Sequence, residues 1–512
     1  MTKTRKFLAI ITALLIVISV QTLAENRHGT ISVTVGMNKP DSHNYQIIMI
    51  CENFSCSIMD FKLPLWGPGY YRMMDFSDNV KNFSAMDEQG KKLAWQKTTK
   101  NTWRVASDNA QSVKIRYDVY SFKNFVGNSF LDSSHGYIVP TGVFMYMAGR
   151  LQHPITVTIL PFQDWKKVST GLDPEIGKIN TFTAKNFDIL YDCPILIGNQ
   201  DTFSFQWNSK TYNIAIKEGN YKEKEKLMEI LKRMVAAATN IIGDIPYKHY
   251  TFIMMGQGRG GIEHHNSMAA YSRIPSFDNP EKYKRWLSFI THEFFHLYNV
   301  KAIRPIALGP FDYEKENYTN MLWFSEGGTV YYQDIIMNRA GFISAGDVLK
   351  SLIRKIKSYE NSPGNKKISV AQASFNTWTM PFFGGGDTIS YYDKGAALCL
   401  LLDLKIRYES NNSKSLDDVL KKLYQKYYKL LKRGFTDKEF QIVCQEMAGC
   451  ELTEFFKYIN TTQEIDYDKY LGYAGLKIVV TQGENQQKEF NIERIANPGL
   501  LESKIFGSWL KK

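Results

Sequence analysis

The chain contains no Cys-x-x-Cys pair, no internal repeat, no low-complexity tract and, beyond residue 20, no apolar run long enough to span a bilayer. These absences argue against a thiolate zinc centre, a solenoid and a multi-span membrane protein. Histidine is scarce, at nine in 512 residues. Four of the nine fall between His264 and His296, a concentration expected of a site and not of scattered surface usage. No cysteine lies near them, so the six cysteines have structural roles by default; Cys51 with Cys56 and Cys444 with Cys450 are the local pairs that oxidation could join.

At 44% hydrophobic the chain is neither disordered nor fibrous, and its length suffices for two or three domains with real cores. Lys3, Arg5 and Lys6 precede an apolar run from Phe7 to Val20 and the small-residue segment Gln21-Thr22-Leu23-Ala24. This is the pattern of a secretory signal, residues 1–24, with the mature chain beginning at Glu25 in the periplasm or outside the cell. Its removal lowers the formal net charge from +12 to +9. That excess is densest from Lys421 to Arg433, where lysines alternate with apolar residues at helical spacing. A solvated amphipathic helix is the reading there, and no nucleic-acid partner is expected.

The central stretch is THEFFHLYNVKAIRP, Thr291 to Pro305, in which His292, Glu293 and His296 form H-E-x-x-H. Residues four apart on a helix point the same way, so two neutral imidazoles can hold one zinc ion while the adjacent carboxylate takes a proton from water. Pro305 disfavours helical geometry at Arg304, and the helix is expected from about Leu287 to about Lys301. A third ligand is needed. Glu326 is the best candidate, at the front of a second helical pattern with Gly327 and Gly328; Glu314 and Glu316 compete from a charged loop. Asn299 and Thr329 are candidates to orient the histidines.

Short alternating runs from His28 to about Trp207, such as TISVTVGM, YQIIMICE and VKIRYDVYSF, predict an antiparallel β domain over 25–215. Helical periodicity then begins at Lys222 and marks a catalytic region, 216–412. Gly256, Gly258 and Gly261 spell G-x-G-x-x-G after the strand YTFIMM, but polar residues come next where a dinucleotide site needs an apolar helix. Glycines beside a sheet edge instead let another backbone approach. Capping signatures at Ser344 to Asp347, Ser415 to Asp418 and Thr436 to Glu439 punctuate a helical remainder, with a C-terminal helical domain over 413–475. The fold class is therefore multidomain α+β.

HEFFHLYNVKAIRP, GGIEHHNS, WFSEGGTVYY and SYYDKGAALCLLLDLKIR together resemble the M61 family of metallopeptidases, glycyl aminopeptidases similar in their catalytic part to thermolysin and the M1 aminopeptidases. LPLWGPGYYRMMDFSDNV, NFDILYDCPILIGN and DYDKYLGYAGLKI extend the likeness over most of the mature chain. The resemblance implies one zinc ion per chain on His292, His296 and Glu326, with Glu293 as general base. It also implies an amine-binding Glu263, bordered by Gly260 and Gly261, and a transition-state tyrosine at Tyr392. Substrates would be peptides with a free amino terminus, losing glycine or alanine. Family members usually continue into a PDZ domain, whereas 36 residues follow Leu476, so 476–512 reads as a short tail or PDZ remnant. Tyr298 and Ala302 depart from the family's usual tryptophan and basic residue. The rival readings are a zinc endopeptidase and an exported binding protein with a structural metal.

Overall fold

The computed structural model describes residues 29–483 and 487–510, so the expected signal segment lies outside them. Mixed α+β architecture is observed, with β-sheets first and a largely helical region after. The alternating runs become strands with one buried face. In Thr30–Gly36, Ile31, Val33 and Val35 face inward, and they meet Cys51, Met49 and Ile47 of Asn44–Glu52 in antiparallel register. Burial of each such side chain contributes about 1.5–3 kcal/mol. A seven-stranded sheet and two four-stranded sheets make up this region. One pairing departs from the antiparallel expectation, because Thr30–Gly36 also runs parallel to Ile155–Leu160.

A separate five-stranded sheet carries the site. Its strands are β1 (Asp201–Trp207), β2 (Lys210–Ile216), β3 (His249–Met254), β4 (Gly261–Glu263) and β5 (Ser267–Ala270), in the spatial order β1-β2-β3-β5-β4. By sheet membership the first region therefore ends near Gly198, before the expected 215. The hairpin β1–β2 pairs with β3 in a single sheet.

Five helices matter most for the site: α1 (Lys224–Ile242), α2 (Pro280–Phe295), α3 (Gly327–Arg339), α4 (Ala345–Glu360) and α5 (Tyr391–Glu409). In α1, Leu227, Leu231, Met234, Val235, Ala238 and Ile242 form one buried stripe, and Gly243 ends the helix in the left-handed region at φ 81°. Helix α2 starts earlier than the expected Leu287, because the Asn279 side chain accepts from Lys282 N at 3.0 Å and Pro280 occupies the first turn. It passes directly into a π-turn, Leu297–Ala302, broken at Asn299 (φ −101°, ψ 73°). Helices α3 and α5 cross where two glycines meet. A Cβ on Gly327 would lie 2.5 Å from Gly395 Cα, and one on Gly395 would lie 2.1 Å from Trp323 O. This close approach brings Glu326 and Tyr392 to the same cleft.

The three expected capping boxes form, at Ser344–Asp347, Ser415–Asp418 and Thr436–Glu439. All six cysteines are free thiols, so neither local pair is bridged. The basic stretch at 421–433 is helical and paired: Lys422 with Glu446, Lys429 with Asp244 and Arg433 with Glu439. The last described residues form a hairpin, Leu476–Gln482 with Lys488–Arg494, and a helix, Leu500–Trp509, that packs on α5. No helix among the described residues is long and apolar enough to cross a membrane.

Candidate active site

Helix α2 sets His292 one turn before His296, and their Nε2 atoms lie 2.9 Å apart. Glu326, at the start of α3, places Oε2 3.6 Å from His292 Nε2 and 3.3 Å from His296 Nε2. Among the described residues this is the group whose ligand atoms could hold a metal ion, all within 4.8 Å of one another. Glu314 is committed elsewhere, 2.7 Å from Lys62 Nζ and accepting from the Tyr146 hydroxyl.

The outer nitrogen of each ring decides what the inner one offers. His296 Nδ1 donates to the carbonyl of Asn299 at 2.7 Å, and His292 Nδ1 donates to Gln333 Oε1 at 3.0 Å. A carbonyl can only accept, so both neutral rings carry their proton on Nδ1 and turn lone pairs toward one another and toward Glu326. Three acceptors with no proton between them fit a cation. The surrounding negative charge also favours a cation: burial lowers His296, but Glu326, Glu263 and Glu293 outweigh it and lift the imidazole to about 10, so that without a metal a proton takes the cation's place on Nε2. Burial raises Glu326, yet the two imidazoles hold its carboxyl far below the ordinary range. Thr329 secures the arrangement by donating to Ser325 O at 2.8 Å and lying 3.1 Å from Asn299 O.

Glu293 is buried beside this group, and burial pushes its carboxyl up to about 8 against the pull of His296. Strand β4 passes directly over it. The Cβ that Gly261 lacks would lie 2.7 Å from Glu293 Oε1 and 2.5 Å from Phe289 Cζ. Strand β4 is also an edge strand of the sheet. Gly260 O accepts from Tyr271 N and His264 N donates to Ser267 O, both inward, so by alternation Gly261 and Glu263 turn their backbone groups outward. Gly260, at φ 87°, turns the chain into this strand with Val126 against it.

Glu263 shares a strand face with Gly261 and is 4% exposed. Its neighbours were not legible in the sequence. Lys301 Nζ lies 3.8 Å from Glu263 Oε1 and 2.9 Å from Asp192 Oδ1. Asp192 also accepts from His264 Nδ1 at 3.1 Å and His265 N at 2.8 Å; burial alone would raise its carboxyl, and Lys301 and His264 bring it down to about 2. Gly69, from the first β region, sits over Glu263 at φ 88°, where a Cβ would lie 3.0 Å from one carboxylate oxygen. Tyr392 lies across the cleft with its ring 6.4 Å from that of His292, and exposed Phe383 packs on it at 5.1 Å. Burial, with Glu326 adding, keeps the Tyr392 phenol protonated.

Two family models match the chain. The Peptidase M61 N-terminal domain covers residues 32–199, and the M61 glycyl aminopeptidase model covers residues 285–398. The chain belongs to the M61 peptidase family. Membership makes it an enzyme, a zinc aminopeptidase, and sets aside the binding-protein reading. The M61 chain is also similar to an aminopeptidase N family protein from Idiomarina loihiensis, at 26% identity and a TM-score of 0.83 over 91% of this chain and 82% of that one. An M1 zinc metallopeptidase from Deinococcus radiodurans, at 12% identity, shares the fold with a TM-score of 0.53 over 86% of this chain and 94% of that one. No curated protein matches the sequence.

Proposed function

We propose that this M61 peptidase is exported and removes the amino-terminal residue of peptides, with His292, His296 and Glu326 as ligands of one zinc ion, Glu293 as general base, Tyr392 as oxyanion donor and Glu263 as the amine anchor. Zinc bound there would supply Lewis acidity, acidifying water and polarising the scissile carbonyl. Gln333 and Asn299 hold the two imidazoles in the tautomer that leaves Nε2 free. Glu293 accepts the proton of the attacking water and returns it to the leaving amine, a task suited to a carboxyl whose pKa burial has raised. Tyr392 donates a hydrogen bond to the oxygen that gains charge, a contact of about 3 kcal/mol in the transition state.

The observation that carries the aminopeptidase reading is the spacing on β4. Gly261 lies over Glu293, and Glu263 is two residues further on the same face, about 7 Å along the strand. A peptide pairing with this edge would meet a carboxylate about one residue beyond the bond being cut. That carboxylate suits an ammonium and stops the chain there.

The test is hydrolysis of aminoacyl amides beside their N-acetylated counterparts, with and without a chelator. The proposal expects chelator-sensitive turnover of the free amines and little of the acetylated series. Equal rates on both would favour the endopeptidase reading. Export is tested separately by amino-terminal sequencing of mature protein, which should begin at Glu25.

A further inference from the structure

Glu263 forms one wall of a cavity of about 570 Å³ that also includes Tyr71, Lys301, Arg304, Leu308 and Phe311. We propose that this cavity receives the side chain of the residue being removed and that Arg304 selects an acidic one, aspartate or glutamate. The inference rests on the aminopeptidase reading above, in which the ammonium is held by Glu263 and the first side chain turns into the adjoining space.

The case lies in which charges of the cavity are already paired. Its carboxylates have partners: Asp192 accepts from Lys301, His264 and the amide of His265, and Asp188 accepts from the Tyr313 hydroxyl at 2.8 Å and Gln152 Nε2 at 3.0 Å. Two of its cations are also committed, Lys301 to Asp192 and Arg433 to Glu439 at 2.6 Å. Lys432 is exposed to solvent, whereas Arg304 is half-buried. Among the described residues its side chain makes neither an ion pair nor a hydrogen bond, and Asp188 and Asp192 act on it only from a distance.

The half-buried guanidinium is held in place by packing. It lies flat where Gly309 has no side chain, and a Cβ there would come within 2.0 Å of Arg304 Cζ. Guanidinium does not lose its proton in proteins, so Arg304 is a permanent cation whose burial Asp188 and Asp192 offset only from a distance. A carboxylate entering the cavity would supply both acceptors of a two-pronged pair. Glycine and alanine fit the same space and leave most of it unfilled. Part of the wall, Val300, Leu308 and Phe311, is apolar and suits the methylene stem of glutamate.

Glutamate and glutamine differ in charge and hardly in shape, so their comparison isolates Arg304. On the wild-type enzyme, glutamyl and aspartyl p-nitroanilides should be cut with kcat/KM about tenfold or more above their glutaminyl and asparaginyl counterparts. In Arg304→Gln that ratio should fall toward one, and in Arg304→Lys it should fall in part. Both substrates are read on one preparation, so the ratio is insensitive to how much of a variant folds. Alanyl turnover with a wild-type glutamate-to-glutamine ratio of one or less overturns the acidic subsite alone. No turnover of any free-amine substrate overturns the aminopeptidase reading, and the subsite with it.

Discussion

Gly261 and Glu293 occupy one space: the side chain that the strand residue lacks is filled by the carboxylate that the helix residue projects, 2.7 Å from where a Cβ would stand. The edge of the sheet and the proposed base are thereby held in contact. Gly261→Ala should push the carboxylate aside or lift β4, lowering kcat tenfold or more, since a misplacement of about 1 Å can cost 10²-fold. Metal content should be unchanged. Steady-state kinetics with metal analysis checks this, and a wild-type kcat would show that the contact has no catalytic consequence.

The metal group should separate ligands from the residues that orient them. Glu326→Ala removes one of three donors and should abolish stable zinc retention. Gln333→Leu leaves all three but frees the His292 ring, and it should weaken zinc affinity by about 10–100-fold. Competition against a chelator measures both. Equal affinity in Gln333→Leu and wild type would mean that His292 needs no help from α3.

Tyr392→Phe removes a hydroxyl and preserves the ring that packs against Phe383. Its cost should appear in kcat, by about 10²–10³-fold, with KM little changed, because an oxyanion donor acts when charge develops. A rise in KM alone would make Tyr392 a substrate contact and leave the donor role to another group, for which buried Tyr71, acted on by Glu326 and Glu263, is a candidate.

A pH effect away from the site arises at His135, whose ring is 6% exposed. Burial, aided by Lys217 and opposed by Asp132, lowers it to about 4. The unfolded chain, with an ordinary histidine near 6.5, takes up the proton that the folded chain refuses. Its contribution is complete above about 6.5 and is lost as pH falls toward 4. Between pH 7 and pH 5 wild type should lose about 2 kcal/mol from this group, and His135→Gln should lack that loss. Urea midpoints at the two pH values decide; parallel shifts would contradict the assignment.

Much of the candidate site was legible because it is local. Two histidines one turn apart need only a helix, and Glu326 announces itself at a helix start with two glycines. The capping boxes formed for the same reason. Pairs that meet across the fold left little trace. Lys301 and Asp192 are 109 residues apart and meet only because the π-turn after α2 returns the chain to the first region. Gly69 and Tyr71 come from that region too, and no periodicity marks them. Gln333 carried a usable signal: it lies seven residues after Glu326, two helical turns, and so shares its face. Element boundaries were displaced where caps and sheet pairing overrode pattern. Asn279 and Pro280 start α2 before its apolar stripe begins, and the hairpin β1–β2, which alternates like the preceding strands, joins the other sheet.

The most direct measurement is the preference for a free amino terminus in Glu263→Ala, taken as kcat/KM on alanyl amide over kcat/KM on its N-acetylated form. Glu293→Gln serves as the contrast. It should keep zinc and lose kcat by 10²-fold or more, on the order of a general base's contribution. In Glu263→Ala the KM for the free amine should rise sharply, and the preference shown by wild type should collapse toward one, because the ammonium has lost its partner beside the cleft. A preference that survives intact in Glu263→Ala, with KM as in wild type, would contradict the amine anchor and the aminopeptidase geometry built on it.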